Sequence, residues 1–309
     1  MGVGDMIGKN RTDGAARRRK GLSIRAREIT SGYLFLLPWI LGFLAFTLYP
    51  FAYSLYLSFN QVSQDPMNRA KPVFVGLQYY IEALTVDTDF TVDLLDTMQF
   101  VLLSTPLIVV VALMLALLLN RQFRGRTFFR AIFFFPVIII SGPVVTKLLE
   151  SDAAAVINPE NYVIYDFLMT LPEVLSSPLM YIFDNITLIL WFSGVQIILF
   201  LASLLKIGQP LREAAAIDGA SGWQMLWKIY LPFLRPMILL NTVYTVVQLS
   251  TFSDNAVNQK ILADRQLAGK AFSYSAAMSW IYLLLILLTL LVVFLLFRER
   301  RSKAERARR

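Results

Sequence analysis

The sequence predicts an all-α, polytopic membrane protein with six transmembrane helices and both termini in the cytoplasm. Three observations lead to this prediction: 57% of the 309 residues are hydrophobic, the apolar residues are concentrated in six runs, and the charges between these runs are segregated by sign. A helix needs about 20 mostly apolar residues to cross a bilayer, and each run reaches that length. We therefore expect one six-helix domain over 31–297, with basic tails at 1–30 and 298–309.

The first predicted span covers 32–59. The 30 residues before it are polar and basic, with four consecutive basic residues at 17–20. The apolar run is longer than the core of a signal peptide and lacks a cleavage site of small residues, so we expect a retained span. Pro38 and Pro50 are expected to kink it or to mark its ends.

The second predicted span covers 98–119 and follows a polar, acidic loop over 60–97. After it comes a short loop without any acidic residue. The third predicted span covers 128–148 and is interrupted by two prolines, whose freed carbonyl groups need neighbouring helices. The loop between these two spans is defined here as the arginine loop, and its basic residues are Arg121, Arg124, Arg126 and Arg130.

The remaining predicted spans cover 185–205, 233–252 and 275–297. A long segment over 150–184 precedes them; it has six acidic residues and no Lys or Arg, and we expect a short helix packed at the outer rim of the bundle. The C-terminal tail carries seven basic and two acidic residues.

Orientation follows from the distribution of charge. Four parts of the chain hold 23 of the 29 basic residues and 7 of the 21 acidic ones. They are the two tails, the arginine loop, and the segment 206–232 together with Arg235. Basic residues in short loops are enriched on the cytoplasmic side of membrane proteins. All four parts are therefore expected in the cytoplasm, and this distribution fits a membrane protein better than a nucleic-acid-binding one.

The 206–232 segment is polar and lies between two apolar runs. Pro210 suits the first turn of a helix, and Gly219 is expected to stop that helix in a conformation that a Cβ would penalise. Ser221 and Gln224 have the spacing of a capping box, which predicts a second short helix. We expect Pro232 to end it.

This segment also carries a specific pattern. Glu213-Ala214-Ala215-x-x-Asp218-Gly219-Ala220, followed by Ile229-x-Leu231-Pro232, resembles the EAA loop of ABC importer permease subunits. In that family the two short helices dock in a groove of a cytoplasmic ATPase subunit and carry its closure to the membrane part. The alternative is an ordinary hairpin that only connects two spans. The resemblance implies coupling roles for Glu213, Ala214, Ala215, Asp218 and Gly219.

Looser patterns resemble the carbohydrate-importer members of the family. They are Asp96-Thr97 with Phe100, Phe128-Phe129-Arg130 with Phe135-Pro136, and Ser275-Ala276-Ala277. The chain departs from the family where Ile207-Gly208 replaces the usual Ile-Pro and Arg212 replaces an aromatic residue. The overall pattern is most similar to the first permease of maltose and glycerol-phosphate importers.

The resemblance also implies the partners and the location. They are a second homologous permease in a heterodimer, a cytoplasmic ABC ATPase dimer and an extracytoplasmic solute-binding protein, in the cell (inner or plasma) membrane of a bacterium and in contact with membrane lipid. No nucleic-acid partner is expected.

Polar residues within the spans are candidates for a solute pathway, because each is costly in a bilayer unless it faces a partner or a water-filled cavity. Four of them fall on one face of the fifth span: Asn241, Tyr244, Thr245 and Gln248. Amides could bond sugar hydroxyls there; the alternative is hydrogen bonding between packed helices. Gln196 and Trp191 in the fourth span are weaker candidates, and Trp191 also fits an interfacial anchor.

Other aromatic residues are expected to be structural. Trp280 and Tyr282 near the outer end of the sixth span fit an aromatic belt. Trp223 and Trp227 are expected to pack against the protein's own helix ends rather than against the ATPase.

Composition also excludes several kinds of chemistry. The chain has no Cys and no His, so we expect no thiol catalysis, no disulfide, no metal site and no cofactor. A phosphate-binding G-x-x-x-x-G-K-[ST] sequence is also missing, so ATP hydrolysis is expected on a separate subunit and this chain is not expected to be an enzyme. Three alternatives stay open: a permease for glycerol phosphate, polyamine or another polar solute, a secondary transporter or channel, and a membrane-embedded enzyme.

Overall fold

The computed structural model describes residues 24–62, 72–121, 124–131, 168–253, 255–265 and 271–298, and this part of the chain is mostly helical. The chain divides into two compact units, Met1–Tyr53 and Ser54–Arg309. The predicted C-terminal tail beyond 298, most of the predicted third span and the first part of the 150–184 segment lie outside the described residues.

The described part of the first unit, from residue 24 onward, is helical throughout. Helix α1 covers Ile24–Phe43 and continues through a π-helical turn, Leu44–Leu48, into α2, Tyr49–Ser58, which runs on into the second unit. Pro38 lies inside α1, and Pro50 follows the π-helical turn. The apolar stretch Ser31–Ser58 is long enough to cross a membrane, in agreement with the predicted first span. Helix α1 begins at Ile24, so the predicted N-terminal tail is partly helical.

The predicted loop over 60–97 is largely structured. A two-residue antiparallel pair, β1 (Asn60–Gln61) with β2 (Val73–Phe74), precedes α3, Gln78–Thr85. Helix α4 then covers Thr88–Asn120, so the second span begins ten residues earlier than predicted. The physical reason is a cap: the Asp87 carboxylate accepts a hydrogen bond from the Phe90 N–H at 3.0 Å, which satisfies a free donor at the helix start.

The C-terminal half contains α5 (Glu173–Asp184), α6 (Ile186–Leu204), α7 (Gln209–Ile217), α8 (Gly222–Met225), α9 (Leu231–Ser250), α10 (Ala256–Asp264) and α11 (Ala271–Phe297). Helices α4, α6 and α9 pack against one another, and α11 packs against α9 and α3. Two apolar cores hold this bundle. One includes Phe90, Val101, Phe192, Leu249 and Met278, and the other includes Ala116, Leu119, Phe200, Leu204 and Leu234.

Four helical stretches of the described chain are long and apolar enough to cross a membrane. They are Ser31–Ser58, Thr88–Asn120, Gly222–Ser250 and Phe272–Phe297. The predicted fourth span corresponds to α6, whose apolar stretch Leu188–Leu204 is shorter than these. Six spans and the side on which the termini lie therefore stay predictions.

Pro232 does not end the second helix of the 206–232 segment, and this prediction was wrong. Helix α8 continues through a π-helical turn, Leu226–Tyr230, directly into α9. The Leu231 N–H bonds to the Leu226 carbonyl, and Pro232 falls in the first turn of α9. A π-helical turn before a proline removes the need for the proline's missing N–H, so the helix continues without a break into α9.

Two expectations about aromatic residues were also wrong. The Tyr282 side chain does not face an interface: it is buried, and its hydroxyl donates to the Ser250 carbonyl at 2.9 Å. Trp223 and Trp227 contact each other at 5.5 Å between ring centroids and remain 69% and 54% exposed, so they do not pack into helix ends.

Candidate functional site

The bend after α7 is built from backbone hydrogen bonds. Gly219 has φ of +73°, a left-handed conformation that favours glycine. Its N–H donates to the Ala216 carbonyl at 3.1 Å, and the Ala220 N–H donates to the Ala215 carbonyl at 2.9 Å. These two bonds form a Schellman motif, which terminates the helix and fixes the direction of the chain beyond it. The predicted role of Gly219 as the helix stop is confirmed.

The second helix starts immediately after this stop. The Gln224 N–H donates to Ser221 Oγ at 3.2 Å, and the Ser221 N–H donates to Gln224 Oε1 at 3.0 Å, so the predicted capping box is confirmed. Only Ala220 separates Gly219, which ends the first helix, from Ser221, which caps the second. The bend between α7 and α8 is consequently fixed at both sides.

The surface of this bend is acidic and apolar. Glu213, Ala214, Asp218 and Gly219 are exposed and Ala215 is half-buried. Ile217 protrudes furthest, with 86% of its side chain exposed. An exposed aliphatic side chain beside small residues and carboxylates is suited to insertion into a groove of another protein with basic groups at its rim.

The base of the bend is anchored in the bundle. Ile207, which precedes α7, is buried with Leu204 of α6 and Leu119 of α4, and Leu234 of α9 joins the same core. A force on the bend therefore acts on three packed helices, because close-packed cores transmit strain.

A polar seam joins α6 and α9. The Gln196 amide donates to Thr245 Oγ1 at 2.8 Å and to Gln248 Oε1 at 2.9 Å. Gln196, Thr245 and Asn241 are fully buried, while Gln248 is half-buried. Among the described residues, the Asn241 amide atoms and Gln196 Oε1 have no hydrogen-bond partner. The structure thus joins three of the six predicted pathway residues by hydrogen bonds, in the helix-to-helix arrangement weighed as the alternative. The Asn241 side chain is buried one turn before Thr245 and does not take part in these bonds.

Tyr244 and Trp191 lie apart from this seam. Tyr244 is 39% exposed on α9. Trp191 packs against the apolar core, and its Nε1 atom is buried without a hydrogen-bond partner in the described chain. An interfacial anchor presents the indole N–H to water, so this geometry does not support the anchor interpretation of Trp191.

A cavity of about 310 Å³ lies where α4, α6 and α9 meet, beside the apolar core that includes Phe192 and Leu249. It combines aromatic rings with groups that can bond hydroxyls, and no described basic residue lines it. The Phe192 and Phe252 rings meet edge to face at 5.2 Å. The lining residues are Asp96, Thr97, Phe100, Leu188, Phe192, Leu249, Phe252, Asn255 and Ala256.

Asn255 organises one wall of this cavity and was not singled out from the sequence. Its Oδ1 accepts from Thr97 Oγ1 at 3.0 Å and from the Val257 N–H at 3.0 Å, so it also caps α10. Its Nδ2 donates to the Tyr282 hydroxyl at 2.9 Å. An Asn three residues after a predicted span was the available sequence signal; its links to α4 and α11 depend on tertiary structure.

A charged cluster joins the starts of α4 and α11 to α10. Lys260 Nζ lies 3.5 Å from Asp87 Oδ2 and 3.4 Å from Asp264 Oδ2, and the Tyr274 hydroxyl donates to Asp87 at 3.0 Å. Burial alone would raise the pKa of Asp87, but the Phe90 N–H, the Tyr274 hydroxyl and the Lys260 ammonium lower it below 3.8. The pKa of Lys260 is raised because its two carboxylates outweigh burial.

These shifts give a pH window. Because the pKa of Asp87 is lowered in the folded protein, its ionised carboxylate stabilises the fold at any pH above its ordinary pKa. This stabilisation is lost as the pH falls below about 3.8. Because the pKa of Lys260 is raised, its ammonium group stabilises the fold at any pH below its ordinary pKa, and this stabilisation is lost as the pH rises above about 10.5. The cluster should therefore be intact across the neutral range.

We expect Asp87→Ala to lower the free energy of unfolding by about 1–2 kcal/mol, because it removes both a helix cap and an ion pair. Asp87→Asn should cost less, since Asn caps helices as well as Asp. Thermal unfolding of the purified chain in detergent measures both values. Equal losses for the two variants would mean that the cap contributes nothing.

Comparisons with known proteins agree on one kind of protein. No model of a known protein family matches the chain. It is 31% identical over 299 residues to the probable ABC transporter permease protein YesP of Bacillus subtilis (strain 168), over 91% of this chain and 94% of the relative. It is 30% identical to the arabinooligosaccharides transport system permease protein AraP of Halalkalibacterium halodurans, over 70% of this chain and 66% of the relative.

Two further similarities bear on substrate and fold. The sn-glycerol-3-phosphate transport system permease protein UgpA of Brucella abortus is 29% identical, over 69% of this chain and 72% of the relative. The crystal structure of a bacterial alginate ABC transporter, in complex with an alginate pentasaccharide-bound periplasmic protein, matches with a TM-score of 0.59 at 20% identity. That match covers 88% of this chain and 95% of the solved one.

Proposed function

The chain belongs to the permease proteins of ABC transporters, and from this premise we propose that it forms one half of the solute pathway of an ATP-driven importer for a sugar or an oligosaccharide. It is a multi-pass protein of the cell membrane. The observation that carries the proposal is the relationship to a permease over 91% of the chain, combined with a fixed, exposed bend seated on the helix bundle. Relatives named for arabinooligosaccharide transport support the choice of solute.

The proposed topology has six spans, with both termini and the 206–232 segment in the cytoplasm. Its support is the charge distribution: the segments assigned to the cytoplasm hold 23 of the 29 basic residues, as the positive-inside rule requires. In this arrangement the cavity near Asn255 lies toward the outer face, and the bend between α7 and α8 lies in the cytoplasm.

The proposed coupling site is the bend itself, with Glu213, Ala214, Ala215, Asp218 and Gly219. Small side chains let a partner backbone approach closely, the carboxylates can pair with basic groups, and Gly219 holds the angle. Helix α8 continues into α9 without a break, so closure of an ATPase subunit around the bend would move α9 directly.

The proposed partners are a second homologous permease, an ATPase dimer that hydrolyses ATP, and an extracytoplasmic binding protein that delivers the solute. The alginate transporter in complex with a periplasmic protein supports the last of these. Exposed apolar side chains along the first span and α11 need lipid or another membrane helix around them, which is compatible with a paired permease.

The proposed solute site is the cavity of about 310 Å³. Aromatic rings stack on the apolar faces of sugar rings, the Asp96 carboxylate can accept hydrogen bonds from the hydroxyl groups, and so can the Thr97 oxygen. Asn255 holds the wall of the site through bonds within the protein. Gln248 of the polar seam is half-buried on α9, and Tyr244 is partly exposed on the same helix, apart from the seam. Gln196 and Thr245 are buried and bonded to each other, so we assign them to holding α6 and α9 together around the pathway. Asn241 is buried beside them. Trp191 would support the cavity from the adjoining core.

Glycerol phosphate is the second candidate solute, since permeases named for its transport are among the relatives. The cavity favours sugar, because Asp96 lines it and no described Lys or Arg does. A phosphate dianion would be repelled by this carboxylate, which has no basic partner among the described residues. Uptake by membrane vesicles holding the complete importer distinguishes the two: we expect accumulation of labelled oligosaccharide, and accumulation of glycerol phosphate alone would overturn the assignment.

The seam yields a separate prediction. We expect Gln248→Ala to change the uptake rate while the permease still assembles with its partners, because the side chain is only half-buried and lies on a helix that lines the proposed solute site. Gln196→Leu, the matched variant, should mainly affect stability, by about 1.2 kcal/mol, because it removes two interhelical hydrogen bonds that are usually worth about 0.6 kcal/mol each in a membrane. Uptake is measured in vesicles and assembly by co-purification. Loss of assembly in Gln248→Ala would support the packing alternative.

A further inference from the structure

A second cavity, of about 620 Å³, opens at the end of the bundle where the bend lies. Its wall comes from the last turn of α4, from the residue after α6, from the arginine loop and from α8 with the π-helical turn that follows. The lining residues are Leu117, Asn120, Arg121, Arg126, Leu205, Gly222, Met225, Leu226 and Tyr230.

Positive charge in this cavity has no counter-charge in the described chain. Neither Arg121 nor Arg126 forms a salt bridge with a described carboxylate. Arg130 of the same loop differs, because its guanidinium donates to the Leu119 carbonyl at 3.1 Å. Two arginines facing one cavity can bind a phosphate oxygen pair with several N–H donors, and the Asn120 amide and Tyr230 hydroxyl add neutral donors.

The rest of the wall is apolar. Leu117, Leu205, Met225 and Leu226 give the occupant an apolar contact beside the anion-binding groups. The exposed indoles of Trp223 and Trp227 lie on the helical segment that lines the cavity, and exposed Trp is typical of the headgroup level of a membrane. A phosphate joined to a lipid body matches this combination better than free phosphate does.

We propose that this cavity binds the phosphodiester headgroup of an anionic phospholipid. Arg121 and Arg126 hold the phosphate, and the four apolar side chains contact the glycerol and the first acyl carbons. The inference rests on the proposed function only for the leaflet, which the predicted topology makes the cytoplasmic one. A lipid here touches both the end of α4 and the start of the helix that continues into α9, so it braces the base of the bend.

The test measures lipid retention by the full chain co-purified with its partner subunits. Native mass spectrometry counts phosphatidylglycerol bound to the complex after extraction, for the unchanged protein and for the double variant Arg121→Gln/Arg126→Gln. Each basic residue near an anionic headgroup contributes roughly 1 kcal/mol, so we expect about thirtyfold weaker retention in the double variant. Arg124→Gln is the matched control, because Arg124 lies in the same loop but does not line the cavity. It should retain lipid as the unchanged protein does.

Three outcomes would overturn the proposal. Equal retention in the double variant and in the control would exclude the cavity as the lipid site. Displacement of the lipid by inorganic phosphate or glycerol phosphate at similar concentration would make the occupant a soluble anion. Loss of the ATPase subunit from the double variant, with lipid retained, would make the two arginines a protein contact. Retention is measured without transport, so a wrong solute assignment would leave this result unchanged.

Discussion

Gly219→Pro is expected to abolish solute uptake while the chain still inserts and its bundle still folds. Proline fixes φ near −65°, whereas Gly219 has φ of +73°, and its N–H bond to Ala216 would also be lost. The bend would have to change direction, at a cost of about 3 kcal/mol or more. This cost corresponds to a more than about hundredfold lower affinity of the ATPase subunit for the bend. Uptake in vesicles and co-purification of the ATPase subunit measure the two effects.

Gly208→Pro is the matched control at the other end of α7. Gly208 has φ of −57° and ψ of +144°, values that proline adopts readily, and a Cβ there would meet only ordinary contacts. This variant should transport at the unchanged rate. Normal uptake by Gly219→Pro, or equal losses in both variants, would remove the coupling assignment.

Asp96→Asn is expected to lower the maximal uptake rate about tenfold or more. Hydrogen bonds from sugar hydroxyls to a carboxylate are worth about 1.5–3 kcal/mol, and an amide of the same shape replaces them incompletely. The external binding protein should keep its own affinity for the solute, because the variant changes only the membrane site. Initial uptake rates at saturating solute measure the effect.

Asp89→Asn provides the control for charge. Asp89 lies on the same helix, seven residues earlier, and is exposed outside the cavity. It should leave uptake unchanged. An equal reduction by both variants would indicate a general effect of outer negative charge, for example on the docking of the binding protein, and would contradict a solute site at Asp96.

Local features of the 206–232 segment could be predicted from the sequence because they depend on neighbours within six residues. The capping box of Ser221 and Gln224 and the stop at Gly219 are of this kind. The continuation past Pro232 was missed, because a π-helical turn leaves no clear compositional signal.

Features that join distant segments could not be predicted. Tyr282 lies near the end of the predicted sixth span, where interfacial aromatic residues are common. Its hydroxyl instead donates to the Ser250 carbonyl and accepts from Asn255 inside the bundle. The face of polar residues on the fifth span was predicted from its period, but only the structure pairs Thr245 and Gln248 with Gln196. The start of α4 at Thr88 depends on the cap formed by Asp87. The same carboxylate contacts Lys260 of α10 and Tyr274 of α11, which lie more than 170 residues later in the sequence.

The central claim is that an external ATPase drives solute movement through the bend between α7 and α8. Proteoliposomes that contain both permeases and the binding protein, with or without the ATPase dimer, test it most directly when the uptake of labelled oligosaccharide is followed after ATP is trapped inside the vesicles. We expect accumulation only when the ATPase is present. Uptake at the full rate without that subunit would contradict the claim.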